Sequence, residues 1–110
     1  GAVLREVHRY EAALSRLDAT AAHAARPGVD REAFARAFTG LREQRLRLDG
    51  CTVAMPGESA TVSCRGRLDY RPRLGDHTTR TSRGVWRFTL ARDTSGWVIE
   101  DVHAPAGVLP

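Results

Sequence analysis

Two residues near the C-terminus could form an acid–base pair. Asp101 and His103 stand two positions apart in a segment of alternating apolar and polar residues, so both would share one face of a strand. Trp97 and Ile99 precede them with the same parity, which predicts that this face points inward. Tyr10, on the apolar side of an N-terminal helix, could donate a hydrogen bond into the same cavity. These three groups together would suit general acid–base catalysis; solvated strand-end residues and a core tyrosine are the alternative.

Cys51 and Cys64 flank a predicted hairpin, so their spacing can be compared with its register. A turn centred between residues 57 and 58 places Val53 opposite Val62 and Cys51 opposite Cys64, all on the apolar face. Directly opposed residues of antiparallel strands have Cα atoms about 4.5 to 5.5 Å apart, which is within disulfide reach. The register therefore predicts a disulfide, and with it an oxidising compartment; two buried free thiols are the alternative.

Arginine supplies every basic side chain that is charged at neutral pH. The 110 residues include 17 arginines, no lysine and 13 acidic residues, which gives a formal net charge of +4. GC-rich codon usage produces such a composition, so the excess alone does not indicate a nucleic-acid partner. The outward sheet face would be either a solvated surface or a surface for an acidic protein segment or a phosphate-bearing ligand. No aromatic side chain alternates with its arginines, so we predict no nucleic-acid binding. The predicted face comprises Thr61, Ser63, Arg65, Arg67, Asp69, Arg71, Arg83, Val85, Arg87 and Thr89.

Motifs for metals and cofactors are missing from the sequence. His8, His23 and His77 are scattered, without the spacing of metal ligands. Phosphate-binding glycine loops and the nucleophile elbow do not occur. We therefore expect neither a metal nor a cofactor. No apolar run reaches the roughly 18 to 20 residues of a membrane span. The chain starts at Gly1, and we expect it to be a piece of a longer parent protein. Any membrane association would then depend on a span elsewhere in that parent.

Three helices would precede the strands. Apolar residues recur every three or four positions over residues 2–17, which is typical of a helix with one buried face. Asp18 is suited to cap a second helix that ends before Pro27. Asp30 is suited to cap a third helix, in which apolar residues recur as far as Leu41.

From residue 46 onward the period of the apolar residues changes from 3.6 to two. Four alternating segments, around residues 46–55, 60–70, 86–90 and 97–99, are separated by turn-forming residues. A change of parity at Asp49-Gly50 predicts a bulge. The fold class is therefore α+β: three N-terminal helices packed on a curved four-stranded antiparallel sheet, in one domain over 1–104 with a tail over 105–110.

The chain resembles the nuclear transport factor 2-like superfamily, a cone-shaped α+β fold, from about Val3 to His103. The likeness includes R-Y-E-A-A-L in the first helix. More specific stretches resemble a subgroup at the C-terminal end of bacterial transmembrane serine/threonine kinases and related signalling proteins. These stretches are P-G-V-D-R-E-A-F-A-R-A-F-T-G-L, G-C-T-V, A-T-V-S-C-R-G, W-R-F-T-L and G-W-V-I-E.

This resemblance implies a non-enzymatic sensor, ligand-binding or dimerisation domain of a bacterial signalling protein, a fragment of a larger kinase-type protein. Its place would be outside the cytoplasmic membrane, as part of a membrane-anchored parent. Members of the superfamily often pair through their sheets, which implies a homodimer, and the ligand would be a small molecule or an acidic group. The pocket would be lined by Tyr10, Tyr70, Trp86, Asp101 and His103.

The superfamily also contains ketosteroid isomerases, SnoaL-like polyketide cyclases and small dehydratases, which place acid–base groups inside the cone. The alternative function is therefore a small pocket enzyme of isomerase or cyclase type. In that case Asp101 or His103 would be the acid–base group and Tyr10 the hydrogen-bond donor.

Overall fold

Three helices come first in the chain, and four antiparallel strands follow them. The computed structural model describes residues 1–105. The elements are α1 (Ala2–Arg16), α2 (Ala19–Ala25), α3 (Arg31–Thr39), β1 (Leu41–Ala54), β2 (Ser59–Pro72), β3 (Arg80–Asp93) and β4 (Gly96–His103). The strands form one sheet in the order β1-β2-β3-β4. The predicted α+β architecture is confirmed, and most of the predicted tail lies outside the described residues.

The ends of the helices follow from local chemistry. Leu17 ends α1 in the left-handed conformation, with φ 54°. At the start of α2 the Asp18 side chain accepts a hydrogen bond from the Ala21 N–H at 3.0 Å, as a helix cap does. Leu41 was predicted to belong to the third helix, and this prediction is wrong. Leu41 is the first residue of β1, because pairing with the end of β2 begins there, opposite Pro72.

The register of the β1–β2 hairpin changes between Asp49 and Thr52, where β1 carries an extra residue. Gly50 within this bulge has φ 59°, a conformation that glycine adopts without steric cost. The predicted bulge is therefore confirmed. Beyond it Val53 lies opposite Val62, as the turn between residues 57 and 58 requires.

The sheet has an inner face, which points toward the helices, and an outer face, which points away from them. The helices place their apolar side chains against the inner face, and removal of this area from water is the main stabilising contribution to such a core. Buried side chains of the inner face are Leu46, Leu48, Ala60, Val62, Cys64, Leu68, Trp86, Phe88, Leu90 and Ile99.

Two apolar residues at the hairpin tip depart from the predicted burial. Val53 and Met55 are 42% and 57% exposed. Glu11 of α1 contacts Leu48; from there the helix continues only to Ala2, about 13 Å, whereas the strand continues about 23 Å to Met55. The hairpin tip therefore extends past the helix that would have covered it.

Helix α1 lies between the two edges of the curled sheet. It contacts β1 on one side and β4 on the other. On the β4 side, Arg9 and Ala13 border the same groove as Trp97 and Val98. Because β1 and β4 are the edge strands, α1 completes the wall of a cone around the core.

Candidate functional site

The interior of the cone is filled by aromatic side chains where the pocket was predicted. Tyr10 and Trp86 are each 1% exposed. The Tyr10 ring makes edge contacts with Phe34 and Phe88, with ring centroids 6.2 and 6.3 Å apart. The Trp86 and Phe88 rings are stacked at 6.2 Å. These aromatic contacts are packing contacts of a core, in the geometry that aromatic pairs prefer.

The Tyr10 hydroxyl accepts a hydrogen bond from the Arg26 guanidinium across 3.3 Å. Arg26 follows α2 directly and is itself buried. Burial raises the pKa of the Tyr10 phenol above its ordinary value of 10.0, and the contact with Arg26 offsets part of that rise. The phenol is therefore protonated at neutral pH.

Two glycines on neighbouring strands allow side chains to approach the sheet closely. Gly66 and Gly84 are directly opposed on β2 and β3. A Cβ at Gly66 would overlap the Trp86 indole, and a Cβ at Gly84 would lie 2.8 Å from Cγ of Pro105. Glycine within a strand commonly marks such a close approach, so this feature could have been read from the sequence.

Asp101 and His103 lie on the outer face, so their predicted inward placement is wrong. Leu90 pairs with Ile99, but Thr89 pairs with Asp101. One extra residue, Glu100, therefore lies in β4 between the two pairs. This irregularity reverses the parity of the strand after Ile99. The His103 Nε2 and an Asp101 carboxylate oxygen are 3.0 Å apart, and their side chains are 76% and 53% exposed. The sheet separates them from Tyr10, and the three groups share no cavity.

A polar groove of about 860 Å³ runs between α1 and the edge strand β1. Half-buried Tyr70, which the sequence predicted to line a pocket inside the cone, instead borders this groove at the sheet edge. The side chains on the α1 wall were not predicted, because helical periodicity identifies only the buried positions. The groove is lined by His8, Glu11, Ala12, Ser15, Arg16, Leu17, Arg42, Glu43, Gln44, Arg45, Leu46, Arg47, Asp69, Tyr70 and Thr79.

Side chains of α1 hold backbone groups of β1 along this groove. The Leu48 N–H donates to a Glu11 carboxylate oxygen at 2.7 Å. The Leu46 N–H donates to the Ser15 hydroxyl at 2.9 Å. The other Glu11 oxygen is 2.6 Å from Nδ1 of His8. Both Glu11 oxygens are thus engaged, and the groove has a fixed wall.

The charges of the groove are unevenly matched. Beyond Glu11, the Glu43 carboxylate pairs with Arg71 at 2.8 Å, and Asp69 pairs with Arg67 at 3.1 Å. Within residues 1–105, ion pairs reach none of the four arginines of the groove. The groove therefore offers guanidinium donors to an anionic or hydrogen-bond-accepting ligand. These arginines are Arg16, Arg42, Arg45 and Arg47.

The predicted disulfide is present between Cys51 and Cys64, with Cα atoms 4.1 Å apart. It lies beside the bulge of β1, where the Arg65 side chain also pairs with Asp49 at 3.0 Å. Such bonds form and persist in non-reducing surroundings, so the chain fits an environment of that kind.

Residues 1–105 contain no cluster of three or more His, Cys, Asp and Glu side chains that could hold a metal ion. In the same part of the chain, none of the helices is long and apolar enough to cross a membrane.

No protein-family model matches the chain, and no curated protein matches it in sequence. Solved structures are similar to it. A nuclear transport factor 2-like superfamily protein from Salmonella enterica serovar Typhimurium has a TM-score of 0.78 and 17% identity, over 96% of this chain and 92% of that one. A candidate dehydratase of the same family from Streptomyces avermitilis has a TM-score of 0.78 and 16% identity, over 93% and 92%.

A candidate scytalone dehydratase from Novosphingobium aromaticivorans has a TM-score of 0.75 and 14% identity, over 99% of this chain and 93% of that one. The chain therefore has the nuclear transport factor 2-like cone fold. At these identities the likeness concerns the fold, and function must be argued from the residues of this chain.

Proposed function

We propose that the chain is a non-enzymatic sensor, ligand-binding or dimerisation domain of a bacterial signalling protein. The observation that carries the proposal is the packed interior of the cone, where an enzyme of this fold would bind its substrate. Tyr10 and Trp86 are buried there in contact with other aromatic rings. A packed interior supports a structural and binding role over chemistry inside the cone.

The separation of the acid–base candidates supports the same proposal. Asp101 and His103 are exposed on the outer face, whereas Tyr10 is buried on the inner side of the sheet. A general acid or base must reach the proton that it transfers, directly or through one water. These three groups could not act on one substrate.

In this proposal the α1–β1 groove is the ligand-binding site. Its carboxylates are engaged by neighbours, whereas Arg16 and Arg42 have no ion pair within residues 1–105. A small carboxylate or phosphate ligand would meet these guanidiniums beside Tyr70.

The disulfide supports a position outside the cytoplasmic membrane. A larger membrane-anchored parent is proposed from the resemblance alone. The resemblance of the sequence stretches to kinase C-terminal domains supports the signalling context. Pairing of two copies through the sheet would need the outer face, and it is the alternative to binding of another partner there.

Nuclear magnetic resonance of the ¹⁵N-labelled chain tests the proposal with citrate, inorganic phosphate and a steroid probe, 5-androstene-3,17-dione. We expect citrate or phosphate to shift amide signals of residues 42–47 and 70. We expect the steroid to leave the Tyr10 and Trp86 signals unchanged and not to be isomerised. The double variant Arg16→Gln/Arg42→Gln should lose the anion-induced shifts, whereas Arg5→Gln/Arg36→Gln, which removes the same charge from helix surfaces, should keep them.

A small pocket enzyme is the second candidate, and two similar structures with dehydratase names favour it. In this chain the His8–Glu11 contact at the groove would have to supply the acid–base groups. If the wild-type chain isomerises the steroid and the His8→Gln variant does not, the chain is an enzyme and the non-enzymatic proposal is overturned.

A further inference from the structure

The outer face carries a row of three arginines on three neighbouring strands. Arg47 of β1 lies directly opposite Arg67 of β2, and Arg67 lies directly opposite Arg83 of β3. Directly opposed residues of antiparallel strands have Cα atoms about 4.5 to 5.5 Å apart. We call Arg47, Arg67 and Arg83 the arginine row.

Opposed like charges on neighbouring strands destabilise a sheet, so the arginine row carries an electrostatic cost. Asp69 compensates part of this cost through its contact with Arg67 at 3.1 Å. Within residues 1–105 neither Arg47 nor Arg83 makes an ion pair. Negative charge supplied from outside would remove the remaining repulsion.

One exposed apolar side chain lies beside the arginine row. Val85, two residues after Arg83 on the same face, is 53% exposed. Thr89 lies further along the same strand face, opposite Thr61 of β2. An exposed apolar side chain beside arginines adds contact area that a protein partner could bury.

We propose that the outer face binds an acidic segment of another protein, laid across β1, β2 and β3 with its carboxylates on the arginine row. Charge complementarity selects this partner, because guanidinium groups bind carboxylates in paired hydrogen bonds. A second copy of the chain would present the same excess of arginine charge to this face. A nucleic acid would find no aromatic side chain on β1–β3 of this face for base stacking.

This surface is distinct from the proposed ligand groove, although Arg47 and Asp69 border both. Arg83 and Val85 of β3 lie outside the groove lining. Loss of binding on substitution of Arg83 would therefore concern the acidic partner, and loss on substitution of Arg16 or Arg42 would concern the groove.

Fluorescence anisotropy of a labelled octaglutamate peptide tests the proposal on the full chain. The double variant Arg47→Gln/Arg83→Gln should bind the peptide at least about tenfold more weakly, because charge-assisted contacts at the site are lost. The control Arg5→Gln/Arg36→Gln has the same net charge and should bind within about twofold of the wild type, since those arginines lie on helices. Arg83→Gln alone should already weaken binding.

Four results would overturn the proposal. One is that the peptide does not bind, and another is an equal loss in both double variants, which would indicate attraction to net charge alone. A third is binding to phosphatidylglycerol vesicles without binding to the peptide, which would assign the face to a membrane surface. The last is a dimer in light scattering that Arg83→Glu dissociates, which would assign the face to a second copy. Amide shifts confined to residues 45–49, 65–69 and 81–87 on peptide addition would support the proposal.

Discussion

Trp86 and Arg87 are neighbours on β3, yet they belong to two surfaces of opposite character. The Trp86 ring is buried on the inner face, against Phe88, and Arg87 is exposed on the outer face. The same alternation holds along β2, where Cys64 and Leu68 are buried and Arg65 and Arg67 are exposed. The comparison teaches that one strand serves two purposes: its inward side chains stabilise the core, and its outward side chains present charge at the surface.

The largest expected effect comes from replacing these two neighbours in turn. Trp86→Ala should lower the free energy of unfolding by about 3 to 5 kcal/mol, since it removes a large side chain from a packed core. Arg87→Gln, the matched control on the other face, should change it by about 0.5 kcal/mol or less. Urea denaturation followed by circular dichroism measures both. Similar losses in the two variants would break the comparison.

Removal of the disulfide should have the next largest effect. Cys51→Ser/Cys64→Ser should lower the free energy of unfolding by about 3 kcal/mol, because the unfolded chain regains the freedom of the closed loop. Wild-type protein unfolded in the presence of reductant serves as the control and should approach the variant. A variant as stable as the oxidised protein would contradict a stabilising role for the bond.

Adding a methyl group on the inner face should lower the free energy of unfolding by less than removing the Trp86 ring does. Gly66→Ala forces a Cβ into the Trp86 indole, so we expect a loss of about 1 to 3 kcal/mol from overpacking. Gly28→Ala is the control, since a Cβ there meets no atom within 4 Å. Thermal unfolding followed by calorimetry compares them, and an unchanged melting temperature in Gly66→Ala would mean that the indole can move aside.

The smallest effect concerns a carboxylate of the outer face at acidic pH. A hydrogen bond from the Thr81 hydroxyl holds the pKa of Asp69 below its ordinary value of 3.8, and Arg67 and Arg47 add to this effect. Because the folded-state pKa is lowered, Asp69 contributes stability above about pH 4 that is lost as the pH falls through the folded-state pKa. Asp69→Asn should flatten the pH dependence of stability below pH 4. Urea denaturation at several pH values measures this. If the free energy of unfolding of the variant depends on pH below 4 as that of the wild type does, Asp69 does not contribute to the pH dependence.

Much of the fold could be predicted because the spacing of apolar residues along the chain shows directly which side chains are buried. The change from a 3.6-residue to a two-residue period placed helices before strands, and the cysteine register followed from one hairpin turn. The bulge near Gly50 was also visible, because apolar residues stand on both sides of it and their parity changes. The disulfide between Cys51 and Cys64 confirms that counting residues from the hairpin turn identified the correct pair.

The site residues were predicted less well, for a physical reason. The extra residue of β4 is Glu100, directly after Ile99, and only Asp101, Val102 and His103 of the strand lie beyond it. So short a stretch carries too little alternation to reveal a reversed parity, and the partner strand decides the register. The groove was missed because it depends on how α1 meets the edge of β1, a tertiary contact that neither segment encodes alone.

The hydrogen bonds from Leu46 and Leu48 to α1 have a consequence for the behaviour of many molecules together. An edge strand with open N–H groups can recruit a strand from a neighbouring chain, but here Ser15 and Glu11 already occupy these two donors. The first helix therefore hinders polymerisation through this edge, in addition to forming part of the core. A chain cleaved after Leu17 would expose the edge and would be expected to grow into β-rich aggregates.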